Sequence, residues 1–172
     1  IWGANSATQF IALNSPNTSN NHNNSLSAWT SGYTANAGQW YHVAFVVDRS
    51  AGKMYVYVDG TERAVSTVPI SAWACTNTYD VIVGGVINAG NISNLMNGGV
   101  DELRFYSTAL SANEISTDMN SFVTSSTPNL IAAYNFSNIN GASVEDISGN
   151  GHTGTLVGYP TGDASAELQK IY

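Results

Sequence analysis

The stretch Asp146-Ile147-Ser148-Gly149-Asn150-Gly151-His152 gathers a carboxylate, a side-chain amide and, around two glycines, backbone carbonyls that a tight turn can make converge. Those are hard oxygen ligands of the kind Ca²⁺ takes, about six to eight to an ion. The same residue types also build an ordinary Asx turn, in which the side chain bonds nearby backbone. The pattern of types leaves both readings open. Paired carboxylates would point to sugar cleavage, which in a retaining enzyme needs two of them about 5 Å apart on one face. Asp101-Glu102 and Glu145-Asp146 are adjacent in sequence, and neighbours along a strand point to opposite faces. Nucleophilic schemes lack their context. His22 falls in a polar loop, His42 in a strand and His152 in a turn, and no Gly-x-Ser-x-Gly elbow accompanies them. Gly84-Gly85 and Gly98-Gly99 flank strands and read as turns or bulges, not as a phosphate cradle. The expectation is a protein without catalysis.

The elements that would position these residues are mostly strands. From Trp40 to Asp48 the chain alternates, with Tyr41, Val43, Phe45 and Val47 on an apolar face expected to meet the core. Lys53 to Asp59 alternates likewise, with Met54, Val56 and Val58 on one face and Tyr55 and Tyr57 on the other. Asp48 to Gly52 has hairpin length and Asp59-Gly60 is a tight-turn signal, so a three-stranded meander ending near Val68-Pro69 is predicted. Further strands are expected at Gln9 to Leu13, Ser25 to Thr30, Asp80 to Gly84, Val100 to Tyr106, Leu130 to Phe136, Thr155 to Val157 and Ala166 to Ile171. Asn14 to Asn24 reads as an exposed loop. One helix is predicted, capped by Ser111 with Glu114 as its capping-box partner and running to about Asn120. Thr124 to Pro128 reads as a linker.

Composition bounds the partners. Charged residues make up only 10% of 172 residues, against the usual quarter, so Asn, Ser, Thr and Gly must cover the surface. That bias is common in secreted β-proteins. With 5 basic residues against 12 acidic and a net charge of −7, nothing resembles a phosphate-binding footprint, and nucleic acid is not an expected partner. An anionic membrane surface is excluded on the same ground, and no stretch approaches the ~20 apolar residues of a spanning helix. Cys75 is the single cysteine, which rules out an intrachain disulfide and a zinc site with paired thiolates. Ile1 opens directly on domain-like sequence, so a mature chain or an excised fragment is expected.

Several segments together resemble one family. Gly38-Gln39-Trp40-Tyr41-His42-Val43-Ala44-Phe45, Tyr55-Val56-Tyr57-Val58-Asp59-Gly60, and Val100-Asp101-Glu102-Leu103-Arg104-Phe105-Tyr106 leading to Ala109-Leu110-Ser111-Ala112-Asn113-Glu114-Ile115 resemble the second half of a LamG-like jelly-roll domain of the concanavalin A-like lectin/glucanase superfamily. Leu130 to Phe136 with Asp146 to His152 resembles the opening of such a domain, placed after the ending. The resemblance implies an all-β, antiparallel jelly-roll sandwich with one short helix. It divides the chain into 1–123, a linker at 124–129, and 130–172, as either a permuted domain or a slice across two repeats. A complete domain would need roughly 35 more residues, about three strands with their turns. Neighbouring copies could supply such strands by edge addition.

The resemblance also implies a structural calcium site made of Asp101, Asp146, Asn150 and a carbonyl near His152. The Glu-x-Asp-x-x-Glu strand of the family's glucanases is absent. Sugar recognition pairs an aromatic plate with polar groups, and Trp29, Tyr33, Trp73 and Tyr79 are the expected ligand-binding residues, with Trp2 a further candidate. For each, a place in the core is the commoner role of such an aromatic. Asn17, Asn23, Asn91 and Asn135 begin Asn-x-Ser/Thr sequons. The expected function is a non-catalytic recognition or adhesion module at the cell surface or outside the cell, binding a polysaccharide or glycan. A self-assembling unit is the alternative, and a glucanase the third.

Overall fold

The computed structural model describes residues 35–157 apart from 37, 68–79, 89–90, 94–95 and 97. The expected strands at 9–13, 25–30 and 166–171, the cysteine at 75 and the aromatics at 2, 29, 33, 73 and 79 lie outside the described residues. Contacts divide the chain into two units, Ile1–Asn97 with Ala109–Ser121, and Gly98–Thr108 with Phe122–Tyr172.

The first unit holds the predicted meander. β1 (Val43–Asp48), β2 (Lys53–Val58) and β3 (Thr61–Thr67) pair antiparallel in that order. The β1–β2 register runs without a break from Val43↔Val58 to Asp48↔Lys53. Asp48 sets that turn, since its Oδ1 accepts from the Ser50 hydroxyl at 2.6 Å and the Ala51 N–H at 2.9 Å. These bonds, the Ser50 one foremost, hold its carboxyl below the usual range. At the β2–β3 turn both Asp59 and Gly60 take positive φ, at 50° and 71°, as a two-residue type I′ loop requires. The Asp59 carboxylate accepts from the His42 N–H at 2.9 Å, and the Asp59 N–H donates to the His42 carbonyl at 2.9 Å. β3 carries one extra residue opposite Val56/Tyr57, a bulge.

The helix α1 (Ala112–Asp118) starts where Ser111 predicts. The Ser111 hydroxyl accepts from the Glu114 N–H, and the Glu114 carboxylate accepts from the Ser111 N–H at 2.7 Å, so two donors at the helix start are satisfied. Its one buried residue is Ile115, 2% exposed, which packs on Val46 and Tyr57, with Ala44, Tyr55 and Leu110 around them. That contact adds a second packed face to β1. Ala44 and Val46 meet the helix, while on the face expected to meet the core Val43 and Val47 are half-buried opposite the buried Val58 and Met54, and Phe45 is 43% exposed. β2 is buried on both faces: Met54, Val56 and Val58 are 1, 0 and 0% exposed and Tyr57 is 6%. Burial also pushes the Tyr57 phenol up.

The strand expected at Asp80 to Gly84 is a second correction. Among the described residues the extended pair here is β4 (Val86–Asn88) with β5 (Asn91–Ser93), displaced toward the C-terminus. Gly84 takes φ +83°, and Val81, Ile82 and Val83 before it are exposed at 72, 41 and 48% and belong to no strand. Alternation alone cannot sense that break.

In the second unit β6 (Leu103–Tyr106) pairs antiparallel with β7 (Leu130–Tyr134), from Leu103↔Tyr134 to Tyr106↔Leu130 with a bulge near Tyr106. β6 begins later than expected because Glu102 sits at φ +50°, its N–H donating to the Asp101 carboxylate at 2.8 Å. β7 ends before Phe136, which takes φ +51°. Two short strands then form a hairpin, β8 (Ile139–Asn140) with β9 (Ser143–Val144), and β10 (Gly154–Thr155) joins β9. β10 stands where a short strand over Thr155 to Val157 is predicted, beginning one residue earlier. The core of this unit is Val123, Leu130 and Ala133, with Tyr106 and Ile147 packed on it.

Ile115→Ala should cost about 2–5 kcal/mol, as truncation of a fully buried aliphatic does, whereas Phe45→Ala should cost less because Phe45 is half exposed. Urea unfolding of both variants checks the order.

Candidate functional site

The loop Asp146–His152 keeps together most of the residues singled out for chemistry, and hydrogen bonds hold it in place. Asp146 Oδ1 accepts from the Ala133 N–H at 3.0 Å and the Ser148 N–H at 2.9 Å, while Oδ2 accepts from the His152 N–H at 2.9 Å. One carboxylate thus ties both ends of the loop to each other and to β7. Burial would raise the Asp146 pKa. The hydrogen bonds from Ala133, Ser148 and His152 outweigh it and bring the group to about 2.

The rest of the loop completes the attachment. The Ile147 N–H donates to the Ala133 carbonyl at 2.9 Å, and the Ser148 hydroxyl donates to the Ile131 carbonyl at 3.1 Å. The Asn150 side-chain amide donates to the Leu130 and Ile131 carbonyls, each at 2.9 Å. Ser148 is 3% exposed and its oxygen also accepts from the Asn150 N–H at 3.2 Å. The Tyr134 hydroxyl donates to the His152 carbonyl. Gly149 and Gly151, at φ +81° and +80°, supply the left-handed turns this path needs. Ala133 presents both its N–H and its carbonyl to the loop, on the edge of β7 away from β6. The loop therefore satisfies with side chains and one amide what a further strand would satisfy with a ladder.

Of the four residues expected to hold calcium, the structure brings Asp146, Asn150 and His152 into this loop. Asp101 lies two residues before β6, whose first residue pairs with Tyr134 beside Ala133, and its carboxylate accepts from the Glu102 N–H. The donor chemistry fits calcium in part. Asp146 Oδ1 already accepts two N–H groups. Oδ2 and the His152 carbonyl each accept one hydrogen bond and keep a second lone pair, and the Asn150 Oδ1 and the Asp101 carboxylate keep acceptor capacity, fewer oxygens than the about six to eight of an ion. Among the described residues no three His, Cys, Asp or Glu side chains cluster as a metal set. The loop closes through its own hydrogen bonds.

Neither acidic pair lies within a strand. Glu102, one residue before β6, brings its Oε2 to 2.8 Å from Arg104 Nη2. Glu145 turns from Asp146 to the other side, where its carboxylate accepts from the Asn138 side-chain amide and its N–H donates to the Asn138 carbonyl at 3.2 Å. Sequence reading missed this Asn138–Glu145 pair, because two-residue strands such as β8 and β9 leave no periodic signal. The one cue was Asn140-Gly141, a hairpin-turn dipeptide, with Gly141 at φ +61°. The expected ligand-binding aromatics, Trp29, Tyr33, Trp73 and Tyr79, lie outside the described residues.

Residues 3–116 match the family model described as the concanavalin A-like lectin/glucanases superfamily. Among solved structures the chain is similar to a candidate carbohydrate-binding protein from Bacteroides ovatus, at 23% identity and a TM-score of 0.59 over 76% of this chain and 42% of that one. It is also similar to an S-layer domain-containing protein from Clostridium thermocellum, at 22% identity and a TM-score of 0.42 over 54% of this chain and 44% of that one. The chain thus spans less than half the length of either protein. Identities this low speak to fold alone. No curated protein matches the chain.

Because the Asp146 pKa falls to about 2 from an ordinary 3.8, its contribution to stability is complete above that ordinary value and is lost as pH falls through about 2. Asp146→Asn should be less stable at pH 7, and the gap to the wild type should narrow on acidification. Thermal unfolding of both proteins between pH 7 and pH 2 checks this.

Proposed function

The chain belongs to the concanavalin A-like lectin/glucanases superfamily, an antiparallel β-sandwich with one short helix among its described residues, and from that premise we propose that it is a non-catalytic, extracellular recognition module that binds carbohydrate. The observation that carries this reading is the state of the carboxylates. A retaining glycosidase needs a nucleophile and a proton donor facing each other. Here Asp146 is held ionised as a triple acceptor, and Glu102 is committed to Arg104. Asp146 serves the backbone of its unit and Glu102 an ion pair. The name of the Bacteroides ovatus protein adds support for a carbohydrate ligand.

Location follows from composition, since a surface built on Asn, Ser and Thr suits secretion or display. No helix among the described residues is long and apolar enough to cross a membrane. Calcium at Asp101, Asp146, Asn150 and the His152 carbonyl belongs to the same proposal, as an ion that would rigidify the loop and take no part in chemistry. A second reading, a unit that assembles with copies of itself, is favoured by Val81, Ile82 and Val83, a strand-like apolar run left exposed.

Affinity gel electrophoresis against soluble polysaccharides, run in calcium and again in chelator, tests the proposal. Retardation by a glycan is expected, with weaker retardation in chelator if calcium shapes the loop. Slow-migrating oligomers in every lane, with no glycan effect, would favour self-assembly. Release of reducing ends from a β-glucan would overturn the non-catalytic reading.

A further inference from the structure

The hairpin β8–β9 and the start of β10 enclose an open groove of about 520 Å³, lined by Ser137, Asn138, Ile139, Asn140, Ser143, Glu145 and Thr153. That volume lies within the range of small-ligand sites, about 300–1,000 Å³. Three observations mark the groove as more than a surface dent. Phe136, immediately before it, holds φ +51°, a strained setting for a bulky side chain, and such strain gathers at functional sites. The Asn138–Glu145 side-chain bond fixes one amide and the one carboxylate of its lining. Its walls are also set by the clamp: Glu145 directly precedes Asp146 and Thr153 directly follows His152, the two residues joined by the Oδ2 bond.

The lining states the ligand's chemistry. It contains no Lys, Arg or His and one carboxylate, so an acidic ligand would meet an unbalanced negative charge. Asn138 and Asn140 offer amides, Ser143 and Thr153 hydroxyls, and Glu145 keeps acceptor capacity beyond its bond to Asn138. Ile139, 37% exposed, adds an apolar surface. Closely spaced donors and acceptors beside a small apolar patch suit a neutral, polyhydroxylated ring, whose rim is polar and whose face is not.

We propose that this groove is a binding site for a neutral glycan, with Glu145 and Asn138 gripping adjacent hydroxyls and Asn140 and Thr153 bounding the sugar. The proposal rests on the carbohydrate reading above. It uses none of the aromatic residues singled out from the sequence.

The test uses Glu145→Ala, and Asn140→Ala as a variant with no internal side-chain bond among the described residues to lose. Both are run in affinity gels containing a neutral β-glucan, mannan or xylan, and in gels containing alginate or polygalacturonate. Thermal unfolding verifies that each variant is folded. Retardation of the wild type by a neutral polysaccharide, weakened about tenfold by Glu145→Ala and measurably by Asn140→Ala, is the expected result, the size of one lost charged hydrogen bond. Unchanged retardation in both folded variants overturns the groove and leaves the carbohydrate reading standing. Retardation by the acidic polymers alone overturns the neutral-ligand assignment. Failure of every polysaccharide to retard the wild type removes the carbohydrate reading, and the groove with it.

Discussion

The second unit depends on one carboxylate. Asp146 accepts three backbone N–H groups, from Ala133, Ser148 and His152, and through them a seven-residue loop becomes the neighbour that β7 would otherwise lack. An open strand edge is a template for unwanted pairing. Here Ser148 and Asn150 cover it by donating to the carbonyls of Leu130 and Ile131. Hydrogen bonds to an ionised acceptor are about twice as strong as neutral ones. That strength offsets the cost of partly burying Asp146, and the pKa near 2 is the same balance seen in another quantity.

The first unit solves a different problem. A three-stranded meander with one apolar face would leave the other face of β2 in water. Tyr55 and Tyr57 instead take part in a second apolar layer under Ile115, held by a helix of seven residues. So short a helix has little intrinsic stability. The Ser111–Glu114 box closes its start, and at the other end the Met119 side chain lies against the turn at Gly60, where an added Cβ would stand 3.4 Å from its Cε. Helix and turn are thus fitted to each other by the absence of a side chain at Gly60.

Where the sequence was legible, the signal was local. The meander followed from alternation and from Asp59-Gly60, and the helix from Ser111 and Glu114. The loop could be picked out at Asp146, but residue types alone did not distinguish metal ligands from hydrogen-bond acceptors. That distinction depends on where the N–H groups of Ala133 and His152 point. That both faces of β1 are packed was not legible, because Val46 and Phe45 are equally apolar and only Ile115 makes Val46 the more buried of the two. Val81 to Val83 satisfied the strand pattern, yet Gly84 turns out of it. The polar groove escaped notice because Asn138 and Glu145 are seven residues apart and meet only through the β8–β9 hairpin.

The function proposed above draws on this arrangement by position. The clamp that covers β7 also fixes Glu145 and Thr153 on either side of the loop, so an element that stabilises the unit also builds a polar surface suited to a neutral sugar. Residue-resolved amide hydrogen exchange tests the central interaction most directly. Ala133, Ser148 and His152 should exchange as slowly as the amides of the β6–β7 ladder. Exchange of these three at the rates of open loop amides would contradict the account, because the carboxylate could not then be holding them.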